Sequence, residues 1–288
     1  SHSVKGSGIV PDGAPAKPSA RRAPPLPPQP PVVKNGGGGG GGGSALGLKS
    51  RRVLAIFVAS ARFGSGDAAA LTWTAGTGGG TGWSARNSHA AVCFDDGVVV
   101  ATGGYAGAAS SDVGKTSAGG TELLSVSQTT FVARAAHAIA RVPGDTDAFL
   151  IVGGESPANA ASNEAILTGD RGASFVVKST AVFSTGPREY TALVATGLTT
   201  FVAYGGAGTG GYFNDVRQSI NSGVDWTTLR GNGGYGGDSC ADGAAIWSAR
   251  SSMAYAYMPQ RNRILIAGGT GSSAPVYKQD VWGSDDGG

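Results

Sequence analysis

The chain has few of the residues on which disulfide frameworks and metal sites depend. Its 288 residues include two cysteines, Cys93 and Cys240, and neither lies at a metal-ligand spacing. One disulfide and two free thiols both remain open. Only three histidines are present, and one of them, His2, lies at the start of the chain. We therefore expect no metal centre and no cofactor.

Charge and long apolar runs are also scarce, and each shortage excludes a class of protein. Charged residues make up 14% of the chain. Residues 1–52 carry a net charge of +7, which leaves −4 for the remainder of a chain whose total is +3. A nucleic-acid-binding domain concentrates basic charge on its folded part, so we exclude that class of partner. The longest apolar run, residues 53–61, is shorter than the roughly 20 residues that span a membrane.

Residues 1–52 differ in composition from everything that follows. Proline is frequent between residues 11 and 31, and an uninterrupted glycine run occupies residues 36–43. Such a segment has few apolar side chains to bury and loses much entropy on ordering, so we predict a disordered leader. Within it, residues 22–28 (RAPPLPP) have the pattern of a proline-rich ligand. The simpler interpretation, which we favour, is that this stretch is a spacer.

From about residue 53 onward, short runs of β-branched and aromatic residues alternate with glycine and aspartate turns. Examples of these runs are VVVAT, AFLIV, FVAY and RILIAG. The pattern is typical of strands and turns and has no helical period. In VCFDDGVVVAT, the pair Asp96-Gly97 lies between two apolar runs and predicts a hairpin with a two-residue type I′ turn. The sequence thus predicts an all-β fold over residues 53–288.

A unit of about fifty residues recurs four times in this part of the chain. Each copy has an arginine, a glycine pair 17 to 19 residues later at the end of an apolar strand, and an acidic residue 9 to 12 residues beyond the first glycine. The arginines are Arg86, Arg134, Arg188 and Arg250, the glycine pairs begin at Gly103, Gly153, Gly205 and Gly268, and the acids are Asp112, Glu164, Asp215 and Asp280. A hydroxyl residue follows each acid after four positions and a glycine after eight. Three copies place a large apolar residue eleven positions after the acid: Leu123, Phe175 and Trp226.

This unit resembles the kelch repeat. The resemblance rests on the R-x-x-H segments at residues 86–89 and 134–137, on the glycine pairs, and on the D-V-W strand start at residues 280–282. It implies a β-propeller in which each repeat forms one four-stranded blade. The blades would cover about residues 83–130, 131–180, 181–235 and 247–288, and we expect the last one to be truncated.

The same resemblance raises the question of how many blades there are. Four blades are visible, and we expect them to be part of a ring of six or seven. Residues 53–82 would hold an earlier degenerate blade or an outer strand that closes the ring, and Trp73 and Trp83 would then be packing residues. The segment 284–288 (SDDGG) also resembles the Asp-box turn of sialidase-type propellers.

The repeated positions have predictable structural roles. The glycine pair should let neighbouring strands approach closely where blades crowd the axis. The acidic residue should accept hydrogen bonds that fix the entry of the next strand. The repeated arginine should donate hydrogen bonds between blades, to carbonyl oxygens or to the acid. The trailing apolar residue, best represented by Trp226, should pack between adjacent sheets.

No group of residues forms a convincing catalytic site. His89 and His137 occupy the same repeat position in different units, which indicates structural hydrogen bonds rather than a shared metal. Galactose oxidase, an enzyme built on kelch repeats, holds copper with tyrosines and histidines, and the sequence contains no such set. A sialidase-like site would involve Arg188, Glu189 and Tyr190, but Arg188 is already the repeat arginine and adjacent strand residues point to opposite faces. We therefore name no catalytic residue.

The loops that follow the glycine pairs should lie on one face of the propeller. They carry aromatic residues among small ones, and we expect these to be exposed binding residues: Tyr105, Tyr212, Phe213 and Tyr277. Aromatic rings provide contact area at low entropic cost. The predicted function is a non-catalytic interaction module for a protein ligand. The alternative is an extracellular propeller that binds glycans or acts as a sialidase; the sequence assigns no compartment.

Overall fold

The structure, a computed structural model, describes residues 83–118, 123–128, 130–232, 247–272 and 276–285. The predicted leader, Trp73, Cys240 and the last three residues lie outside the described residues. The described part is all-β, as the sequence predicts. It contains no α-helix, and its one helical element is a short 3₁₀ turn at Pro259–Arg261.

Three sheets of four antiparallel strands follow one another along the chain. The first sheet comprises β1 (Ala90–Cys93), β2 (Val99–Thr102), β3 (Asp112–Thr116) and β4 (Leu123–Gln128). The second comprises β5 (Ala138–Arg141), β6 (Phe149–Val152), β7 (Ala165–Thr168) and β8 (Val176–Ser179). The third comprises β9 (Ala192–Ala195), β10 (Phe201–Tyr204), β13 (Val216–Ser219) and β14 (Thr227–Arg230), with a ribbon of β11 (Ala207–Gly208) and β12 (Gly211–Tyr212) between its middle strands.

A fourth sheet has three described strands. It comprises β16 (Ala254–Met258), β17 (Arg263–Ala267) and β19 (Val281–Ser284), and β15 (Arg250–Ser251) pairs with β18 (Thr270–Gly271) beside it. In all four sheets the strands are hydrogen-bonded in chain order, so each sheet is an up-and-down meander. Each sheet contains one arginine–glycine–acid unit.

Successive sheets contact each other through their first strands. β1 contacts β5, β5 contacts β9, and β9 contacts β16. Buried apolar side chains fill the three spaces between neighbouring sheets, with Phe149 between the first and second, Phe201 between the second and third, and Ile264 between the third and fourth. The core is therefore a series of sheet-to-sheet contacts and not one central cluster.

The hairpin between β1 and β2 differs from the expectation. Gly97 N donates to Phe94 O at 2.9 Å, and Phe94 N donates to Val98 O at 2.9 Å, so three residues and not two form the loop. Gly97 has φ of 82°, whereas Asp96 has no positive φ. The prediction of a type I′ turn is wrong because the extra residue Asp95 allows an ordinary turn followed by one left-handed glycine.

The glycine pairs allow the close approach that the sequence predicts. Gly103 has φ of +60°, and a Cβ atom there would lie 2.2 Å from Arg134 O in the next unit. Gly104 has φ of +99°, and a Cβ atom there would lie 2.9 Å from Asn87 O. Both glycines of the first three pairs leave no room for a side chain, whereas a Cβ atom at Gly268 would lie 3.3 Å from its nearest neighbour, Lys278 O.

Candidate functional site

The repeated arginine is the centre of a hydrogen-bond network in every unit. In the first unit Arg86 Nη1 donates to Gly103 O at 2.9 Å, and Arg86 Nη2 donates to Asp112 Oδ2 at 2.6 Å. The same ion pair recurs as Arg134–Glu164, Arg188–Asp215 and Arg250–Asp280. The prediction that the arginine is a hydrogen-bond donor is confirmed. The expectation that it bridges blades is wrong, because both acceptors belong to its own unit.

Arg188 is fully enclosed by its partners. Its Nη2 donates to Asp215 Oδ2 at 2.8 Å, and both side chains are buried. The guanidinium carbon lies 3.8 Å from the ring centroid of Phe213 and 4.4 Å from that of Phe183. The two rings shield the ion pair from water and add cation–π attraction. Arg188 is thus occupied inside its own unit and is not presented to a ligand.

Backbone hydrogen bonds, and not the arginine side chains, join each unit to the next. Gly104 N donates to Arg134 O at 2.9 Å. The equivalent bonds run from Gly154 N to Arg188 O and from Gly206 N to Arg250 O, each at 2.9 Å. The second glycine of each of the first three pairs therefore contacts the arginine of the following unit.

A second series of backbone bonds connects the residues two positions after each arginine. Ala136 N donates to Ser88 O at 2.8 Å, Tyr190 N to Ala136 O at 2.8 Å, and Ser252 N to Tyr190 O at 3.2 Å. All four residues have positive φ between 51° and 54° although none is glycine. This shared left-handed conformation was not predicted, because serine, alanine and tyrosine have no common preference for it. The hydrogen bonds between these residues link the four units in one line.

The two histidines within the described residues have structural surroundings. His137 Nε2 and Thr102 Oγ1 lie 2.7 Å apart across the junction of the first two sheets. Burial, followed by the charges of Arg134 and His89, lowers the pKa of His137 to about 3. Burial and the charge of Arg86 also lower the pKa of His89. Both imidazoles are therefore neutral near pH 7, and the predicted structural hydrogen bond is confirmed for His137.

Two turns between third and fourth strands share one hydrogen-bond pattern. Gly172 N donates to Thr168 Oγ1 at 2.9 Å, and Gly223 N donates to Ser219 Oγ at 2.9 Å. Asp170 Oδ1 accepts from Ser174 N at 2.9 Å. Burial would raise the pKa of Asp170, but hydrogen bonds from Ser174, Thr168 and Ala173 lower it to about 2. A hydroxyl oxygen therefore closes each turn, aided by the Asp170 carboxylate in the first and by Asn221 Oδ1, which accepts from Asp225 N, in the second.

Two glutamates meet at the junction of the second and third sheets. Glu155 follows Gly154 and Glu189 follows Arg188, and these two preceding residues are joined by the backbone bond across the junction. Burial, followed by the charge and proximity of Glu155, raises the pKa of Glu189. Sequence reasoning considered Glu189 beside Arg188 but missed Glu155. Its position directly after a glycine pair was the available signal.

The four predicted binding residues lie on the loops that follow the glycine pairs. Tyr105 pairs with Asn87 in a short bridge, Tyr212 lies in β12, and Tyr277 pairs with Thr270. Tyr105 and Tyr277 are exposed, the latter by 79%, and Tyr212 is half-buried. Phe213 is only 5% exposed. The expectation of an exposed Phe213 is wrong, because its ring covers the Arg188 guanidinium.

Tyr190 is an exposed aromatic on this same face that sequence reasoning did not select. Its backbone lies in the line of residues with positive φ, and its side chain is 38% exposed. The equivalent residues are Ser88, Ala136 and Ser252, so the fold does not require an aromatic ring there. Tyr190 directly precedes Thr191 and the first strand of the third sheet, at the same end of the strands as the loops that follow the glycine pairs.

Only one of the two cysteines lies in the part of the chain that the structure describes. Cys93 is a free thiol, and Cys240 lies outside the described residues. Among the residues that the structure describes, no group of three or more histidine, cysteine or acidic side chains could hold a metal ion. No helix in the described ranges is both long and apolar enough to span a membrane.

Comparisons with known proteins do not assign this chain to a family. None of the known protein-family models matches it. A search among curated proteins also returned no match.

Proposed function

We propose that the chain is a kelch-like β-propeller segment that acts as a non-catalytic interaction module. The architecture that supports the propeller is the series of four meander sheets in contact through their first strands. The hydrogen bonds that repeat at each junction support it further, because they relate each sheet to the next in one consistent way. A propeller requires this relation between successive blades.

The binding surface of this proposal is the loop face beyond the glycine pairs. We name its ring-bearing residues the loop tyrosines: Tyr105, Tyr190, Tyr212 and Tyr277. The observation that carries the proposal is that these rings come from three different units yet lie at the same end of their sheets. Tyrosine supplies a large amphipathic contact at low entropic cost, and such residues are enriched where proteins bind partners.

The partner we propose is a protein segment. Arg188, which a sialidase-like site would need to grip a carboxylate, is occupied by Asp215. Glu189, which interacts with Glu155, directly precedes Tyr190 in the chain. A protein segment with polar and apolar side chains would be recognised by the tyrosines at several points, as loop-borne binding sites usually are.

A peptide-display selection against the immobilised chain tests this function. We expect peptides that bind the wild-type chain to lose binding to a variant with Tyr105→Ala, Tyr212→Ala and Tyr277→Ala. The matched control is Leu198→Ala with Ile220→Ala, which removes exposed apolar side chains from the opposite ends of the strands. Equal loss in both variants, or no selectable peptide, would contradict the proposal.

A glycan-binding or sialidase-like propeller is the second candidate. The observation that favours it is the shared turn at residues 168–175 and 219–226, which resembles the Asp-box turn. A glycan array and a fluorogenic sialoside test it directly. Binding or turnover that is lost on Tyr190→Phe, with the fold retained, would support this candidate over the first.

A further inference from the structure

The fourth sheet presents an apolar face whose equivalent is covered in each of the other sheets. The residue directly after the acid is buried in the first three units: Val113 is 0%, Ala165 0% and Val216 3% exposed. The equivalent residue in the fourth unit, Val281, is 70% exposed. Ala254 and Ala256, on the same face, are exposed as well.

The covering group in the other units is an aromatic side chain that precedes the next arginine. Phe131 packs in the same cluster as Val113, Phe183 in the cluster of Ala165, and Trp247 in the cluster of Val216. Each ring therefore comes from the unit that follows. Val281 lacks a ring of this kind among the described residues.

Backbone groups at the fourth sheet are also left without their usual partners. In the first three units the second glycine N–H donates to the next arginine C=O, and the C=O two positions after the arginine accepts from the next unit. The equivalent groups are Gly269 N–H and Ser252 C=O, and neither is paired within the described part of the chain. A covering partner would have to supply one acceptor and one donor.

The first sheet offers the complementary set. Arg86 C=O and Ser88 N–H are the equivalents of the groups that the second, third and fourth units present to the preceding sheet, and within the described ranges both are unpaired. Trp83, three residues before Arg86, is half-buried and stands where Phe131 stands before Arg134. Ala91, at the position of Ile139 on the inner strand, is exposed.

The two ends of this series do not meet among the described strands. First-strand contacts of this kind run from β1 to β5, β9 and β16, and none of comparable extent joins β16 to β1 among the described strands. Each end therefore carries half of the same junction. One end has the apolar face and the Gly269 donor, and the other has Trp83 and the Arg86 acceptor.

We propose that the fourth sheet binds the first sheet of a second copy of this chain, head to tail. Trp83 of the second copy covers Val281 as Phe131 covers Val113, and the same two backbone bonds form. A head-to-tail interface closes into a ring when the rotation permits it. The four described sheets of each copy would together give eight, within the range of about four to eight that propellers have.

Sedimentation velocity of the full chain over a concentration series tests the association. We expect a discrete dimer for the wild type and monomers for Val281→Asp and for Trp83→Ser. An equimolar mixture of the two variants should recover a dimer. The Trp83→Ser variant keeps an intact Val281 face, and the Val281→Asp variant keeps the Trp83 that covers it. Ile220→Asp, at a residue that is 68% exposed in another sheet, is the matched control and should leave the dimer unchanged.

Other outcomes overturn the proposal in distinguishable ways. A dimer abolished by Val281→Asp but kept by Trp83→Ser would mean that two fourth sheets pack on each other. A monomer at every concentration would mean that something other than a second copy covers this face. A dimer that survives both substitutions would place the contact elsewhere.

A cross-link keeps the test decisive if Trp83→Ser unfolds the chain. Residues two positions after successive arginines are joined directly by a backbone bond, so Ser88→Cys in one copy should lie beside Ser252→Cys in another. We expect an oxidised dimer when the two single variants are mixed, above the background of the wild-type cysteines. Replacing Ser252→Cys by Leu198→Cys should abolish that product, and an equal yield from both pairs would overturn the proposal.

Discussion

Asp215 accepts a 2.8 Å hydrogen bond from the guanidinium of Arg188, and both side chains are shielded from solvent in the third sheet. The acid directly precedes the third long strand of that sheet, and the arginine precedes the first strand by four residues. One ion pair thus fixes the two ends of a unit relative to each other, and Arg188 Nη1 also donates to the carbonyl of Gly205 at 3.1 Å.

Removing the Asp215 carboxylate should destabilise the chain strongly. Asp215→Ala leaves the Arg188 guanidinium buried and unpaired, and loss of one partner from a buried pair costs about 3–5 kcal/mol. Urea unfolding followed by tryptophan fluorescence measures the loss. Asp95→Ala, whose partner Arg141 pairs with it at the surface, is the control and should change stability little. Equal effects of the two substitutions would contradict the role of burial.

Alanine should be tolerated much less at Gly103 than at Gly107. Both glycines have positive φ, so both substitutions carry a conformational cost of about 1–2 kcal/mol. A Cβ atom at Gly103 would also meet Arg134 O, whereas nothing lies within 4 Å of one at Gly107. We expect about 1–3 kcal/mol of additional loss at Gly103 from overpacking. Thermal unfolding of the two variants checks the difference.

Acid should destabilise the chain through His137. Its pKa is about 3 in the folded chain, whereas an unperturbed histidine has a pKa of 6.5, so the unfolded chain binds more protons between these values. Stability conferred by the neutral imidazole is therefore present above pH 6.5 and is lost as the pH falls, by about 1.4 kcal/mol per pH unit at most. Unfolding of wild type and His137→Gln between about pH 4.5 and 7 measures it. Parallel pH profiles would show that His137 does not contribute.

Glu189 should have the opposite pH dependence. Its pKa is raised in the folded chain, so stability is full below the unfolded pKa and is lost as the pH rises through the folded value. Glu189→Gln removes the repulsion from Glu155 and should raise the melting temperature at about pH 7.5 but not at about pH 4. Glu164→Gln is the control, because Glu164 pairs with Arg134, and it should lower the melting temperature at the higher pH. A lower melting temperature for Glu189→Gln would contradict the assignment.

Sequence periodicity was sufficient to predict the repeated elements, but it did not predict the turn type or which side chains are exposed. The spacing of arginine, glycine pair and acid predicted four equivalent units, and all four arginines occupy matching positions. The Asp96-Gly97 turn was predicted with the wrong type, because one additional loop residue changes the geometry and composition alone does not reveal it. The prediction that Phe213 is exposed was also wrong. Its ring covers the guanidinium of Arg188, which lies 25 residues earlier in the chain, so the neighbouring sequence does not reveal the contact.

The amino-acid sequence by itself determined the all-β class and the position of the arginine, glycine and acidic residues, because strand alternation and glycine φ preferences act over a few neighbouring residues. Only the tertiary structure decided which groups meet across junctions, namely Glu155 with Glu189 and the line of residues with positive φ, and that the face around Val281 stays exposed. These contacts join residues tens of positions apart. They depend on how sheets pack, and no local pattern encodes that packing.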